Sequence, residues 1–211
     1  MPEPRGRLIT IEGLDGSGKT TLSVALEEAM IARGLPVVRL REPGGVALSE
    51  RIRELVADPE LQVDPRTEAL LFAAARAQLC AEVLRPTLDD GRWVLLDRFV
   101  DSSLAYQGGG RELGVEAVAR MNELATEGCV PDRTLLLRVD RRTGRERLAS
   151  RGEEQDRMER EQDAFFARVE QAYDGLATAD PHRFRVLDAH KDAPAVLADA
   201  LDALADVLPP A

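Results

Sequence analysis

The segment with the strongest chemical signal lies near the start of the chain. Its residues fit the pattern G-x-x-x-x-G-K-[ST] and continue into a threonine: Gly13, Leu14, Asp15, Gly16, Ser17, Gly18, Lys19, Thr20 and Thr21. Glycines let backbone amides turn inward around a phosphate, and the start of a following helix adds partial positive charge. Lys19 would reach the β and γ oxygens, and the Thr20 hydroxyl would ligate Mg²⁺. An apolar run before it and a helical stretch after it are the required context, so the segment predicts nucleoside triphosphate binding.

Composition makes the lysine of this pattern more informative than usual. The chain has 28 basic residues, yet lysine occurs only as Lys19 and Lys191 and every other basic residue is arginine. A glycine-rich turn that matches the pattern by chance would not be expected to hold one of two lysines at the required place. We therefore expect a genuine P-loop, which by itself indicates only that a nucleoside triphosphate binds.

Charged residues follow two further apolar runs. Asp97 and Arg98 come directly after residues 93–96, and residues 41–45 (Arg-Glu-Pro-Gly-Gly) follow residues 37–40. Open α/β sheets bind ligands at the C-terminal ends of their strands. The Asp97 carboxylate can hold Mg²⁺, and an arginine beside it can bind phosphate in bidentate fashion. An ordinary salt bridge is the less favoured alternative for Asp97 and Arg98, whereas plain turn chemistry explains residues 41–45 equally well.

Phe72 and Arg76 are four residues apart, which puts them on one face of a helix. An aromatic ring beside a planar donor suits a nucleobase, since the ring stacks and the donor bonds the base edge. A core phenylalanine beside a solvated arginine is the alternative that spacing alone favours. Arg53 also has two interpretations, as a phosphate ligand or as a solvated surface charge.

Five short apolar runs alternate with longer stretches rich in helix formers. The runs occupy residues 8–11, 37–40, 93–96, 135–139 and 184–187. Their continuous apolar character predicts strands covered on both faces, as in a parallel sheet. Asp64 and Pro65 predict the start of a helix that continues to about residue 86, and residues 193–208 predict a last amphipathic helix. The expected fold is a single doubly wound α/β domain over residues 1–211, with a five-stranded parallel sheet and helices on both faces.

Overall composition and charge exclude several classes of protein. The 211 residues are 44% hydrophobic and 31% charged, which is enough apolar material for a full core. A net charge of −10 argues against binding nucleic acid or an anionic membrane through overall charge. Two cysteines, Cys80 and Cys129, make neither a disulfide scaffold nor a four-ligand zinc site. No apolar run of about 18 residues occurs, so we expect a cytoplasmic protein without membrane or nucleic-acid partners.

Four linked motifs resemble the bacterial thymidylate kinases (dTMP kinases). They are the P-loop with its acidic residue, residues 42–45, the Phe72 and Arg76 pair, and a segment from Asp97 to Arg111 that contains Ser102-Ser103 and Tyr106-Gln107. The motifs follow the order and spacing of that family from about residue 7 to residue 188. The resemblance implies a P-loop nucleoside monophosphate kinase fold and in-line transfer of the ATP γ-phosphoryl group to dTMP, with Mg²⁺, for dTTP synthesis. It also implies a homodimer.

The resemblance assigns residues to the base and the sugar of dTMP. Asp15 would touch the 3′-hydroxyl, and Tyr106 would lie against the 2′ face of the sugar, where it disfavours a ribonucleotide. Phe72 would stack on thymine, Arg76 would hydrogen-bond the base, and Ser103 would lie near it.

The same resemblance assigns residues to the phosphates. Arg98, and by similarity Arg53, would hold the phosphate of dTMP, while Asp97 would serve the metal or organise the transferred phosphoryl group. The remaining expected substrate contacts are Glu42, Pro43 and Gln107.

The most charged stretch, about residues 141–161, predicts an arginine-rich lid. Arg147 and Arg151 are four residues apart, so both point one way on a helix. A solvated helical face is the alternative, but phosphoryl transfer needs cations, and a closing arginine contributes roughly 10³–10⁵ in rate. Some thymidylate kinases carry an arginine at the P-loop position of Gly16, so the resemblance here is to the subgroup whose lid supplies it. Arg151 is the expected catalytic arginine, assisted by Arg147 and Arg157.

Three other functions fit part of these observations. A P-loop kinase for a different nucleoside monophosphate is the nearest alternative, since thymine differs from uracil by one methyl, worth about 0.8 kcal/mol of burial. A GTPase-type switch would need an Asn-Lys-x-Asp motif, which the sequence lacks. A catalytically silent nucleotide-binding module is the third, and the presence of Lys19, Thr20 and Asp97 argues against it. Adenine is expected against residues 189–191, where nothing is diagnostic.

Overall fold

A five-stranded sheet forms the centre of the computed structural model, which describes residues 5–150 and 156–209. Its strands are β1 (Leu8–Gly13), β2 (Val37–Arg41), β3 (Trp93–Asp97), β4 (Arg133–Arg138) and β5 (Phe184–Asp188). All neighbours pair in parallel, in the order β2-β3-β1-β4-β5. The predicted sheet is confirmed, and each strand overlaps one of the five apolar runs.

Helices cover both faces of this sheet. Within the described ranges they are α1 (Lys19–Ala32), α2 (Ala47–Ala57), α3 (Pro65–Leu79), α4 (Arg85–Asp89), α5 (Val100–Ser103), α6 (Val115–Thr126), α7 (Arg141–Ala149), α8 (Asp163–Ala179) and α9 (Ala193–Ala203). Two wider helical turns, Cys80–Leu84 and Leu104–Gly110, follow α3 and α5 without a break. None of the described helices is long and apolar enough to cross a membrane.

The ends of two predicted helices differ from the structure. The helix begins at Pro65 as predicted, with the Asp64 side chain accepting from the Arg66 amide at 2.9 Å, but it continues beyond residue 86 to the end of α4. Pro86 has no amide hydrogen to donate, and it lies directly after the wide turn Cys80–Leu84, where the regular α-helical hydrogen-bond pattern is already interrupted. The last helix ends at Ala203, and the turn after it still packs Leu208 into the core, which is why the apolar spacing extends past the helix.

Alternate strand residues pack into two separate apolar layers. In β3, Leu95 packs with α1 and α9, whereas Val94 and Leu96 pack with the long helix formed by α3 and α4. Leu136 of β4 faces α8 on that second side. Because both faces are covered, the C-terminal edge of the sheet is the exposed part, and the P-loop and Asp97-Arg98 both lie there.

Candidate active site

The loop between β1 and α1 forms a cradle of backbone. Gly13, Gly16 and Gly18 have φ angles of 137°, 77° and 95°, which favour glycine because a side chain is strained there. Ser17 Oγ is buried and has no hydrogen-bond partner among the described residues. A phosphate oxygen can accept a hydrogen bond from that hydroxyl, so the cradle fits a phosphate group.

The ammonium group of Lys19 lies inside this cradle. Its Nζ donates to the carbonyl oxygens of Gly13 at 3.1 Å and Leu14 at 2.9 Å, and lies 3.9 Å from Asp15 Oδ1. Burial, together with the charge of Arg98, lowers the pKa of Lys19 to about 8. An anion is a stronger partner for this ammonium than two neutral carbonyls, so the arrangement favours a bound phosphate.

Thr20 and Asp97 join the cradle to the neighbouring strand. Thr20 Oγ1, in the first turn of α1, donates to Asp97 Oδ2, at the end of β3, at 3.0 Å. The described residues contain no group of three or more His, Cys, Asp or Glu side chains able to hold a metal. Mg²⁺ at a nucleotide needs only one or two protein oxygens, because phosphate and water supply the rest. This pair of oxygen donors therefore fits Mg²⁺.

Arg98 lies beside the cradle and is held by three side chains. Its Nη2 is 2.5 Å from Asp15 Oδ1 and 3.3 Å from Tyr106 OH, and its Nη1 donates to Ser102 Oγ at 3.0 Å. Burial alone would raise the pKa of Asp15, but Arg98 and Lys19 hold it at about 2. The ionised carboxylate keeps two buried cations next to each other, where both can attract phosphate.

One cavity connects the cradle to Arg98 and continues to the C-terminal half of α2 and the middle of α3. Lys19, Thr20 and Asp97 border its cradle end. It brings together every residue predicted to contact substrate: Asp15, Glu42, Pro43, Arg53, Phe72, Arg76, Arg98, Ser103, Tyr106 and Gln107. The phosphate cradle and Arg98 therefore lie side by side in one connected cavity.

The far end of the cavity carries the aromatic residue and its arginine neighbour. Phe72 is half-buried and borders the cavity one helical turn before Arg76 on α3. Arg53, on α2, donates to the Pro43 carbonyl at 3.4 Å and borders the same space. The predicted shared face of Phe72 and Arg76 is present, and Arg76 is not a solvated side chain.

Arg76 is only 2% exposed and is heavily hydrogen-bonded. Its Nε and Nη2 contact Glu42 Oε2 at 2.8 and 2.6 Å, and Nη2 also donates to the Phe99 carbonyl at 2.9 Å. Its Nη1 donates to Ser103 Oγ at 3.0 Å and to Asn122 Oδ1. Glu42 Oε1 is buried without a hydrogen-bond partner in the described part of the chain. Glu42 also borders the cavity, and a direct bond from Arg76 to a base requires an exchange of one of these partners.

The polar, glycine-rich composition of residues 102–111 predicts a flexible loop, which is wrong, because residues 102–110 are helical and largely buried. They form the end of α5 and the wide turn after it. A Cβ added at Gly109 would lie 2.6 Å from Ala172 Cβ, and one at Gly110 would lie 2.6 Å from a ring carbon of Phe165. Because Gly109 and Gly110 have no side chain, the wide turn packs closely against α8. This packing holds the polar side chains of residues 103–107 in fixed positions beside the cavity.

The predicted lid contacts the P-loop through backbone. A Cβ added at Gly16 would lie 2.2 Å from the carbonyl oxygen of Gly144 in α7, and one at Gly144 would lie 3.0 Å from the Asp15 carbonyl. Two glycines therefore allow α7 to lie directly on the cradle. Leu148, further along α7, borders the cavity.

The three predicted lid arginines have different placements. Arg151 lies outside the described residues. Arg147 belongs to α7 and is half-buried, but Leu148 is the residue of α7 that borders the cavity. Arg157 Nη2 lies 2.7 Å from the buried Glu68 carboxylate, so this arginine fastens the downstream end of the lid segment to α3.

Comparison with known proteins gives the family. The thymidylate kinase family matches residues 11–200. The chain belongs to the thymidylate kinase family. It is 46% identical over 207 residues to a thymidylate kinase of Halorhodospira halophila, and the aligned region covers 97% of this chain and 96% of the relative. It is 47% identical over 205 residues to one of Pelotomaculum thermopropionicum, with 97% and 95% covered.

A solved structure supports the same assignment. The crystal structure of thymidylate kinase from Ehrlichia chaffeensis superposes with a TM-score of 0.79 at 30% identity, covering 96% of this chain and all of that one. The predicted resemblance to thymidylate kinases and the predicted P-loop nucleoside monophosphate kinase fold are confirmed.

Sequence reasoning missed three buried polar residues of this thymidylate kinase site. Glu12, in β1, is hydrogen-bonded to the segment after Arg98. Glu68, in α3, accepts from Gln107 at 2.9 Å and pairs with two arginines. Asn122 of α6 accepts from Arg76. Glu68 shares the i, i+4, i+8 spacing of Phe72 and Arg76 and was detectable from the sequence, whereas Asn122 has no such signal.

The contact between the P-loop and α7 gives a first testable prediction. Gly16→Ala places a methyl group against the Gly144 carbonyl and strains a backbone at positive φ. We expect kcat/KM for ATP to fall by on the order of 10²-fold, because the displaced lid misplaces the reacting groups. Steady-state kinetics and circular dichroism check this.

Gly175→Ala is the matched control. Its added methyl group meets no atom within 4 Å in the middle of α8, so kinetics should stay unchanged. A Gly16→Ala enzyme with wild-type kinetics would show that this contact is irrelevant to catalysis.

Proposed function

We propose that this chain transfers the γ-phosphoryl group of ATP to dTMP, yields ADP and dTDP, and so feeds dTTP synthesis. The observation that carries the proposal is the single cavity that joins a phosphate cradle to a second buried cation, Arg98. An aromatic ring and buried hydrogen-bonding groups lie at the far end, at Phe72 and Glu42. Relatives named thymidylate kinase match nearly the full length of the chain.

Each anion has a distinct place in the proposed reaction. The cradle and Lys19 bind the β and γ phosphates of ATP, and Arg98 binds the phosphate of dTMP. The acceptor is already an anion, so no strong general base is needed, and positioning and charge neutralisation dominate. Asp15, 2.5 Å from Arg98, orients that guanidinium and lies where the sugar 3′-hydroxyl of dTMP is expected. The same guanidinium lies over the Tyr106 ring, with 5.0 Å between Cζ and the ring centroid.

We infer that Thr20 and Asp97 hold the Mg²⁺ that accompanies ATP. Their oxygens are 3.0 Å apart at the edge of the cradle and are hard donors of the kind Mg²⁺ prefers. When bound, Mg²⁺ neutralises charge on the β and γ oxygens. Asp97, at the end of β3, is next to Arg98 in sequence, so one short segment serves both the donor and the acceptor phosphates.

The buried acceptor at the far end of the cavity bears on the choice of base. Glu42 Oε1 has no partner among the described residues, and thymine and uracil both carry a ring N–H that can donate to it. Cytosine has an unprotonated nitrogen at that ring position, so it would leave the oxygen unsatisfied. A kinase for a different monophosphate, chiefly a uracil nucleotide, is therefore the remaining alternative.

The proposed reaction is tested with four acceptors, dTMP, dUMP, UMP and dCMP, in an ADP-release assay. We expect dTMP to give the highest kcat/KM and dCMP the lowest. Lys19→Ala should lower kcat by about two to three orders of magnitude, because the cradle loses its buried cation. Arg66→Ala, at a side chain 78% exposed, is the control and should retain full activity. Phosphorylation of UMP in preference to dTMP would overturn the proposed substrate.

The catalytic cation of the lid is proposed to be Arg151. Arg151→Ala should lower kcat by roughly 10³-fold or more with little change in KM for either substrate, because a closing arginine acts in the transition state. Arg142→Ala, at an 80% exposed side chain of α7, should change neither parameter. If Arg147→Ala produces the loss of kcat and Arg151→Ala does not, the role belongs to Arg147.

We also propose that the chain forms a homodimer through α2, α3 and α6, which pack together. Large apolar side chains on these helices are exposed: Leu55 by 50%, Leu70 by 55% and Leu124 by 84%. Exposed apolar side chains on neighbouring elements mark interaction surfaces. The cytoplasmic location and the single domain over residues 1–211 stay predictions.

Light scattering on purified protein tests the dimer. The wild type should give twice the mass of one chain, and Leu124→Glu should shift the mass toward one chain, because a charge in an apolar interface loses its solvation. Ile31→Glu changes a residue exposed by 54% on α1, on the opposite face of the sheet, and should leave the mass unaltered. A wild type that is monomeric at micromolar concentration contradicts the proposal.

A further inference from the structure

Glu12 is a charged residue inside the central strand, and the reaction described above does not use it. It is fully buried, between Ile11 and Gly13 of β1. Its carboxylate accepts three hydrogen bonds, from the Phe99 amide at 2.8 Å, from Ser102 Oγ at 2.6 Å and from Tyr173 OH at 2.9 Å. A buried carboxylate is costly unless such partners compensate it, so its presence calls for an explanation.

The first of these bonds fixes the backbone of Arg98. Arg98 has a φ angle of 69°, in the left-handed region that residues other than glycine adopt at a cost in free energy. Its own amide donates to the Ile11 carbonyl at 3.0 Å, and the next amide, of Phe99, donates to Glu12. Two adjacent residues of β1 therefore hold the peptide groups on both sides of Arg98.

The second bond reaches the other end of the same residue. Ser102 Oγ donates to Glu12 Oε2, which leaves the hydroxyl oxygen to accept from Arg98 Nη1 at 3.0 Å. With its proton committed to Glu12, the serine is oriented as an acceptor toward the guanidinium. One carboxylate thus controls the backbone and the side chain of Arg98.

Some of the surroundings of Glu12 favour its neutral form, and others favour its charged form. Burial and the neighbouring Asp101 raise the pKa of Glu12 to about 7, whereas Ser102, Arg98 and Tyr173 favour the charged form. The three groups hydrogen-bonded to its two oxygens, the Phe99 amide, Ser102 Oγ and Tyr173 OH, all donate to them. This agrees with an acceptor role for Glu12 toward the Arg98 segment.

We propose that Glu12 is a positioning residue that sets both the backbone and the guanidinium of Arg98 for binding the phosphate of the acceptor nucleotide. The inference rests on the proposed function, in which Arg98 binds that phosphate. It goes beyond that function because it assigns the affinity for the phosphate partly to a residue in the core of the sheet. Glu12 itself is not expected to touch the substrate.

Calorimetric binding of dTMP and of thymidine to the full chain tests the proposal, because thymidine lacks the phosphate. Glu12→Gln keeps the size of the side chain but replaces one acceptor oxygen with a donor. We expect its Kd for dTMP to rise by about ten-fold, the usual effect of losing a hydrogen bond to a charged group, with the Kd for thymidine changed less than about two-fold. KM for dTMP should rise while KM for ATP does not. Equal weakening of dTMP and thymidine would overturn the proposal.

A double-mutant cycle separates action through Arg98 from a general effect on the fold. In an Arg98→Ala background the phosphate contact is already gone, so adding Glu12→Gln should change the Kd for dTMP by less than about two-fold. Effects that multiply fully would show that Glu12 acts independently of Arg98. Such a result contradicts the positioning role.

Two further variants keep the test decisive. Gly175→Ala is the control, because its added methyl group in α8 meets no atom within 4 Å, and it should leave the Kd for dTMP unchanged. Ser102→Ala cuts only the link to the guanidinium, so it should weaken dTMP about three-fold or more without affecting thymidine, even where Glu12→Gln fails to fold. Unchanged dTMP binding in Ser102→Ala would overturn the inference.

The failure of this inference can be told from the failure of the proposed function. If the wild type phosphorylates dTMP and the variants behave like it, only the role of Glu12 is wrong. If the wild type neither binds nor phosphorylates dTMP, the proposed function is wrong, and the positioning role is overturned with it.

Discussion

Burial of positive charge is the constraint on which the rest of this site depends. Lys19, Arg76 and Arg98 lie within a protein whose net charge is −10, and each is largely withdrawn from water. A buried charge that loses its partner destabilises a protein by about 3–5 kcal/mol, so each cation needs a carboxylate nearby. Asp15 serves Lys19 and Arg98, and Glu42 serves Arg76. The cations are thus held in place before any anion arrives, and local charge rather than overall charge decides what the cavity binds.

The same rule links elements that are far apart in the sequence. Glu68 of α3 pairs with Arg111 after the wide turn and with Arg157 beyond α7, and Asp101 pairs with Arg183 ahead of β5. Each carboxylate satisfies arginines from segments that no strand pairing connects. Buried carboxylates therefore connect distant segments of the chain, and their positions determine where the cavity-lining residues lie. Neither Glu68 nor Asp101 borders the cavity, so the arrangement of the lining side chains rests partly on residues outside it.

Local pattern predicted the sheet and the phosphate cradle well, because both follow from the chain order. Apolar runs identified all five strands, and the glycine pattern with Lys19 identified the cradle. Partners that meet only in three dimensions were not accessible. Glu12 sits in an apolar run with nothing to show that it faces Ser102, 90 positions away. Gly109 and Gly110 suggested flexibility, whereas the structure uses their lack of a side chain to pack a buried turn against α8. The glycine content of a segment predicts backbone freedom. Tertiary contacts determine whether the folded protein uses that freedom or the small size of glycine.

The contact between Gly16 and Gly144 connects the P-loop to the arginine content of the lid. With the Gly144 carbonyl 2.2 Å from where a Cβ of residue 16 would lie, a side chain at that position and the approach of α7 exclude each other. An arginine in the P-loop therefore demands a more distant lid, while a glycine there admits a close one. Since phosphoryl transfer needs a further cation beyond the P-loop lysine, a chain that has glycine at this position has to draw that cation from another element. The arginines of residues 141–161 fit this requirement. A glycine in the cradle and arginines in the lid therefore belong together, because the glycine leaves the space that a close lid needs.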